Sequence, residues 1–277
     1  MKGAALFLRA MLARTYPRII GTVRMPSWLL QETLLPLLSV SAYVFVYRAM
    51  NAPEECTGFV LLGGAMAAFW LNVLWSMGAQ LYWERDSGNL ELYIIAPCSM
   101  MAILGGMALG GMLLTLTRAA VILTAGSLLF GVRYHPSSWG MLAVVFLLTM
   151  LALYGLGMVF ASAFLLWGRE AWHTVSLLQE PVYLLSGLNF PVRAVFPPPV
   201  AWLASLIPLT VGMDALRQVL FPPSQGSGPS IPYILGLEAE LGLLAVLSLA
   251  FLFLARYSLG HLERRSREEG RLTVRWQ

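Results

Sequence analysis

Long apolar runs separated by short polar segments make up most of the chain. Each run comes close to or exceeds the about 20 residues that an α-helix needs to cross a bilayer core of roughly 30 Å. Tryptophans flank several of these runs, where the headgroup level favours an amphipathic ring. The pattern predicts six membrane-spanning helices, at residues 28–48, 59–82, 100–130, 139–167, 172–190 and 231–256.

The composition agrees with this class. Hydrophobic residues make up 58% of the 277 residues and charged residues 12%, about half the charged fraction of a typical soluble domain. We therefore predict an all-α integral membrane protein with an interfacial segment at residues 1–27, a six-span domain at 28–257 and a basic cytoplasmic tail at 258–277. The helix of the first segment is only weakly amphipathic, and Pro17 is expected to interrupt it.

The basic residues predict the orientation. Most of the 18 basic residues fall in segments that share a side with the N-terminus. Positive charge accumulates on the cytoplasmic side of membrane proteins, so both termini are expected there. The net charge of +4 then reflects topology and contact with anionic membrane lipid, and no nucleic acid partner is expected.

Residues that usually carry catalysis or metal binding are few and scattered. The two cysteines fall on opposite sides of the predicted membrane, and the three histidines lie in separate segments. We therefore assign no catalytic residue and no metal site. The phosphate-cradling pattern G-x-x-x-x-G-K-[ST] does not occur in the sequence, so ATP binding by this chain through that loop is excluded.

Apart from Arg48, His173 and Arg256 at span ends, five charged residues fall inside the predicted spans: Glu32, Arg118, Glu180, Glu238 and Glu240. Such a group costs about 2.5–3.5 kcal/mol on insertion scales, so each is expected to face the bundle interior or a wet cavity. With a rise of about 1.5 Å per residue, Arg118 comes level with Glu238 or Glu240 rather than with Glu180. These charges either line a transport pathway or pair to hold the bundle together.

Glycines on two spans predict close approach of neighbouring helices. A glycine lets two helix backbones come near each other because it has no side chain. The glycines of the third span form two pairs about one turn apart: Gly105, Gly106, Gly110 and Gly111. Those of the fourth span are two residues apart: Gly155 and Gly157.

A charged loop at residues 83–99 follows the second predicted span. It carries Glu84, Arg85, Asp86 and Glu91 between two apolar runs. We expect a short helix from about residue 84 to 92 that projects its charges and Leu90 into the cytosol, where a partner's groove can hold it. The alternative is that the charges only keep an inner loop hydrated.

The order of six spans, this loop and the segment at residues 184–217 together resemble the type 2 permease family of ATP-binding-cassette transporters. The loop is similar to the family pattern E-R-E-x-G-T-L-E, with Asp86 and Asn89 as mild departures. Its matching positions are Glu84, Arg85, Gly88, Leu90, Glu91, Pro97 and Ser99. The second segment matches the patterns S-G-x-x-F-P and N-P-L-T, although Ile207 stands where Asn is common: Ser186, Gly187, Phe190, Pro191, Pro208, Leu209 and Thr210.

This resemblance implies an exporter-like permease that pairs with a second permease copy, identical or paralogous, and with two copies of a separate ATPase. ATP and Mg would bind to the ATPase, and this chain would hold no cofactor. The residues that would couple the two proteins are Glu84, Arg85, Asp86, Gly88, Asn89, Leu90 and Glu91. The expected location is the cytoplasmic membrane of a prokaryote. The expected cargo is an amphipathic molecule such as a lipid, a hydrophobic drug or a lipid-linked glycan.

The resemblance also implies two short re-entrant helices in the outer segment at residues 191–230. Arg193, Asp214 and Arg217 would face water or headgroups at the exit, and Phe190, Pro191 and Pro208 are assigned to the same re-entrant segment. The alternative is a surface loop folded over the bundle without substrate contact. Two other function classes stay open, a non-transporting membrane scaffold and an intramembrane enzyme, although the scattered histidines disfavour the enzyme.

Overall fold

The computed structural model describes residues 2–78, 80–96, 98–167, 171–222 and 232–269. These residues form an all-α protein without strands, which confirms the predicted fold class. A π-helical segment (Asn72–Gly78) joins the third helix to the fourth. The α-helices are α1 (Lys2–Val23), α2 (Pro26–Ala49), α3 (Glu54–Leu71), α4 (Gln80–Asp86), α5 (Asn89–Ile95), α6 (Met100–Phe130), α7 (Trp139–Trp167), α8 (Ala171–Leu185), α9 (Val192–Val195), α10 (Pro198–Ala204), α11 (Pro208–Leu220) and α12 (Leu237–Glu269).

Five helical stretches in the described residues are long and apolar enough to cross a membrane. A sixth crossing exists only if α10 and α11, which meet at a bend of 106°, form one broken span. This bend also fits the re-entrant pair that the family resemblance implied for the outer segment. The five stretches are Leu29–Ala49, Glu55–Asp86, Met100–Phe130, Trp139–Ala163 and Leu237–Leu262.

The predicted fifth span is shorter than the sequence suggested. α8 has 15 residues and ends at Leu185, so it extends about 22 Å at 1.5 Å per residue. The chain then turns at Gly187, whose φ of 60° lies in the left-handed region that favours glycine. The prediction that this helix continues to residue 190 was wrong, because residues 186–190 form a turn.

The second span forms the centre of the molecule. In Glu55–Asp86, 89% of the apolar window is buried, against 11% of the window in Leu29–Ala49. Trp70, Leu74 and Met77 are fully buried where α3 and the π-helical segment pack against α6 and α7. α7 also packs along α12. Consequently α2 lies at the periphery, with much of its apolar surface exposed.

α1 packs closely against α6 at the glycines of the third span. A Cβ added at Gly106 would lie 2.3 Å from the carbonyl oxygen of Met11. The hydroxyl of Thr15 donates a hydrogen bond of 3.0 Å to the carbonyl oxygen of Gly106. The predicted close approach is therefore confirmed here. α1 also runs through Pro17 as one helix, so the predicted interruption was wrong: contact with α6 supports the turn in which proline removes one hydrogen bond.

The π-helical segment lies between the third and fourth spans. The side chain of Asn72 fits against Gly111, where an added Cβ would come within 2.5 Å of it. Its amide oxygen accepts a hydrogen bond of 3.0 Å from the Tyr154 hydroxyl. On the other side, Met77 packs against Gly157. Because π-helical turns often mark functional positions, this segment indicates a candidate functional region just before the charged loop.

Candidate functional site

The charged loop folds as two short helices instead of the single predicted one. α4 ends at Asp86 and α5 begins at Asn89. Between them the chain turns at Gly88, whose φ of 77° is left-handed and so favours glycine. The amide of Gly88 donates to the carbonyl of Arg85 at 3.0 Å. The chain therefore turns between the two helices at residues 87–88, and α4 and α5 together are called the coupling loop below.

Glu84 connects the coupling loop to α1. Its Oε1 accepts hydrogen bonds from the Arg14 guanidinium and from the amide of Gln80, the latter at 2.8 Å. Its Oε2 accepts from the amide of Asn89 at 3.0 Å and from the Tyr93 hydroxyl at 3.1 Å. One buried carboxylate thus joins α1, α4 and α5 by four hydrogen bonds.

Burial also raises the pKa of the Tyr93 phenol to about 12, because the phenolate would lose hydration there. A tyrosine is protonated at neutral pH even with its ordinary pKa, and burial extends this to higher pH. The hydroxyl therefore stays a donor to Glu84. Arg14 adds a contact of 5.4 Å between its guanidinium carbon and the centre of the Tyr93 ring, within the range of a cation–π interaction.

The expectation that Glu84 and Leu90 project into the cytosol was wrong. Glu84 is 5% exposed and Leu90 is 1% exposed, because Glu84 accepts hydrogen bonds from α1 and α5 and Leu90 packs in the hydrophobic core. Asp86 and Asn89 are exposed at its tip, and Arg85 lies over the Tyr82 ring at 5.1 Å. The side chain of Glu91 lies outside the described residues. The coupling role of these residues stays a prediction.

A cavity of about 810 Å³ opens beside the coupling loop, between α1, α2, the π-helical segment and α6. Arg14, Arg18 and Arg118 line it together with a single acidic residue, Glu32. The remaining lining is neutral or apolar and includes Trp75, Trp83, Leu35, Leu71 and Leu114. We call this cavity the basic cleft. It combines positive charge with apolar walls, as an amphipathic ligand requires.

Arg118 forms an ion pair with Glu32 across the cleft. The sequence placed Arg118 level with Glu238 or Glu240, but its ion-pair partner in the structure is Glu32. Depth along a helix alone does not tell which neighbour a side chain faces. Arg118 points from α6 towards α2, and the two charges meet at the wall of the cleft.

Arg18 is the cleft arginine with a neutral partner. Its guanidinium donates to the amide oxygen of Gln80 at 3.3 Å, and the described residues place no carboxylate in ion-pair contact with it. Burial, followed by the nearby charge of Arg14, lowers the pKa of Arg18. The charged form is therefore less favourable here than in water.

The other intramembrane acids do not join this site. Glu240 is buried and accepts from the amide of Gln218 at 2.9 Å, which ties α12 to α11. Glu180 and Glu238 are exposed. The structure therefore brings Glu32 and Arg118 together and leaves the other three of the predicted charges elsewhere. The contacts of Glu240 agree with the alternative that intramembrane charges hold the helix bundle together.

The expectation that Asp214 and Arg217 face water was also wrong. Both are buried, at 2% and 1% exposure. Arg217 donates to the carbonyls of Leu188 and Phe190, each at 3.2 Å, and to that of Gly187. The turn after α8 leaves these carbonyls without helical partners, so the guanidinium satisfies them.

Other contacts complete this outer region. Asp214 accepts from the backbone amide of Ile234 at 2.6 Å. Pro208 is buried at the start of α11, whereas Phe190 and Pro191 are half-buried. The part of the outer segment formed by α11 is therefore a packed cap held by charged side chains, whereas α10 exposes Trp202 and Leu203.

Several residues of the site were given no role from the sequence, among them Arg14, Arg18, Gln80 and Tyr93. Arg14 and Arg18 were recognised as cytoplasmic charge on one face of α1, as their spacing of four residues requires. That shared face was the signal that could have indicated a site. In the described residues no group of three or more His, Cys, Asp or Glu side chains could hold a metal ion.

Comparison of the chain with known proteins identifies its family. The family model described as ABC-2 type transporter matches residues 8–221, which contain the basic cleft, the coupling loop and α11. A comparison with curated proteins gives no match. In this family the membrane domain is the transport component and associates in general with an ATP-binding subunit. The chain therefore belongs to the ABC-2 type transporter family, as a multi-pass membrane permease subunit.

Proposed function

We propose that this permease is an exporter subunit that dimerises and binds two copies of a separate ATPase through the coupling loop. The ATPase holds ATP and Mg, and this chain supplies the path for an amphipathic cargo. Both termini lie in the cytoplasm of a prokaryotic cell, on the side of the coupling loop. The cargo moves away from that side as the ATPase dimer closes and opens.

The observation that carries this proposal is the position of Glu84. It joins the loop to α1 through Arg14, and Arg14 in turn lines the basic cleft. A second connection runs from α4 through the π-helical segment into α3, along one nearly continuous stretch of helix. A displacement of the exposed tip at Asp86 and Asn89 would therefore reach two walls of the cleft.

The cleft itself supports an amphipathic cargo. Arginines provide donors for a polar or anionic group, and tryptophans and leucines contact an apolar body. A volume of about 810 Å³ falls within the roughly 300–1,000 Å³ that is usual for ligand pockets. A small inorganic ion would leave most of this apolar wall unused.

Purification of the tagged chain from its native membrane in mild detergent tests the proposal. We expect an ATPase with a phosphate-binding loop to copurify at about one copy per permease. Asp86→Lys at the loop tip should reduce its recovery. Arg133→Glu is the matched control, because Arg133 is exposed just beyond the opposite end of α6 and the charge change has the same size.

Two results would count against the proposal. Purification of a stable homo-oligomer without any ATPase would favour a membrane scaffold. Equal recovery of the ATPase with Asp86→Lys and with Arg133→Glu would show that the loop tip is not the contact surface.

A further inference from the structure

The charges around the basic cleft do not cancel. Glu32 neutralises Arg118, and Glu84, behind the cleft wall, neutralises Arg14. Arg18 is left with the neutral amide of Gln80. One positive charge therefore remains in a partly apolar cavity, and the site is complementary to a single anionic group.

Donor groups point to the same conclusion. The Nε atoms of Arg14, Arg18 and Arg118 are buried and have no hydrogen-bond partner among the described residues. Buried donors in native proteins are normally paired, and all three of these side chains line one cavity. These guanidiniums are therefore not fully satisfied by the protein itself, which favours a polar group in the cavity that they line.

Arg18 is held in place before any ligand binds. The Cβ and Cγ atoms of Arg18 rest against Gly110 of α6, within 3.1 Å of where an added Cβ would stand. Its lowered pKa means that the neighbourhood disfavours its charge, and an anion nearby would offset that cost. A guanidinium presents paired donors that match the oxygens of a phosphate group.

The outside of the cleft indicates where the anion comes from. α2 forms one wall, and its outer surface carries exposed leucines at positions 30, 34, 35 and 38. Leu35 belongs both to this exposed surface and to the cleft lining. An apolar rim of this kind favours a molecule whose charged head enters the cleft while its chains stay along α2 in the membrane.

We propose that the basic cleft is a loading site for the phosphate headgroup of an anionic lipid-like molecule in the inner leaflet, with Arg18 as its principal contact. This assignment names the substrate class and rests on the proposed function for its role in transport. The binding itself needs no ATPase, so it is measured on the permease alone.

The test titrates the purified full-length chain with short-chain phosphatidylglycerol and with phosphatidylcholine of the same chain length. Tryptophan fluorescence follows binding because Trp75 and Trp83 line the cleft, and native mass spectrometry counts the bound lipid. We expect at least about tenfold tighter binding of phosphatidylglycerol, as a charge-assisted hydrogen-bond contact would provide. Inorganic phosphate at the same concentration should compete poorly.

Variants assign the effect to the cleft. Arg18→Gln should remove the preference for phosphatidylglycerol, whereas Arg9→Gln, which changes the same charge at an exposed position of α1, should retain it. Gln31→Glu provides a second line of evidence. Gln31 is exposed and lines the cleft, so the new carboxylate should repel the headgroup without disturbing a buried contact.

Three results would overturn this inference: equal affinity for the two lipids, equal behaviour of Arg18→Gln and Arg9→Gln, or full competition by inorganic phosphate, which would indicate a site for a soluble anion. The outcome is independent of the ATPase experiment. If headgroup binding depends on Arg18 but the protein recruits no ATPase, the exporter proposal is refuted and the headgroup site stands. If the protein recruits an ATPase but does not bind phosphatidylglycerol selectively, the headgroup site is refuted and the exporter proposal stands.

Discussion

Replacement of Glu84 by Gln is the most informative single change in this protein. An amide has one acceptor oxygen, so its NH2 group must face either Arg14 and Gln80 or Asn89 and Tyr93. All four of these groups donate to the native carboxylate. About half of the hydrogen bonds are therefore lost whichever way the amide turns, and the surviving ones lose their ionic character.

The magnitude follows from the burial of the two charged partners. Removal of one member of a buried ion pair costs about 3–5 kcal/mol. The Arg14 side chain is 27% exposed and that of Glu84 6%, so water compensates part of the loss. We expect about 2–3 kcal/mol for Glu84→Ala. For Glu84→Gln we expect about 1–2 kcal/mol, since a neutral acceptor still satisfies some donors.

Two assays read out this change. Thermal unfolding in detergent measures the lost stability, and a double-mutant cycle with Arg14→Gln isolates the pair, with an expected coupling of at least about 1 kcal/mol. ATPase activity in the reconstituted complex measures coupling: Glu84→Gln should retain the bound ATPase but lower the cargo-stimulated rate towards the basal rate. Unchanged unfolding together with strict additivity would refute the assigned ion pair, and full stimulation would refute its role in coupling.

Three further predictions concern the bundle. Arg118→Ala and Glu32→Ala should be less than additive by about 1–3 kcal/mol in unfolding experiments, and strict additivity would argue against their contact. Gly106→Ala should weaken the packing of α1 on α6, seen as faster proteolysis of α1. Gly105→Ala should not, because an added Cβ meets only the flexible Met11 side chain, at 3.5 Å or more; equal proteolysis of the two variants would contradict this. Arg217→Met leaves three carbonyls without their donor and should cost about 3 kcal/mol or more, so native-like thermal stability would be evidence against the cap.

Hydrophobic length predicts much of this fold. Five spans follow from apolar runs alone, because each exceeds the membrane thickness without help from other contacts. The fifth predicted span fails since a left-handed turn at Gly187 ends the helix inside an apolar run. The sequence around this glycine is as hydrophobic as the helix before it, so hydropathy carries no signal of the turn.

Burial of charged groups is the part that the sequence did not predict. Glu84 and Arg217 lie in polar or interrupted segments, and exposure is the usual state of such residues. Each is buried because backbone or side-chain donors and acceptors converge on it from distant parts of the chain. Glu84 meets a residue 70 positions earlier, and Arg217 meets a turn about 30 positions earlier. Only the tertiary arrangement brings these partners together.

The basic cleft was only partly predictable from the sequence. Helical spacing places Arg14 and Arg18 on one face of α1, and hydropathy marks Arg118 as unusual within its span. Neither pattern indicates that α1 packs on α6 through Gly106 and Gly110, which is what unites the three arginines. A periodic pattern defines a face, whereas the partner of that face depends on shape.

Photo-crosslinking from the tip of the coupling loop tests directly whether this loop binds an ATPase. A photoreactive residue is placed at position 89 in α5, which precedes α6, and, as a control, at position 133, which follows α6; both positions are exposed. We expect a crosslink from position 89 to an ATPase with a phosphate-binding loop, and none from position 133. Absence of any ATPase crosslink from position 89, in membranes where the chain is intact, would contradict this expectation.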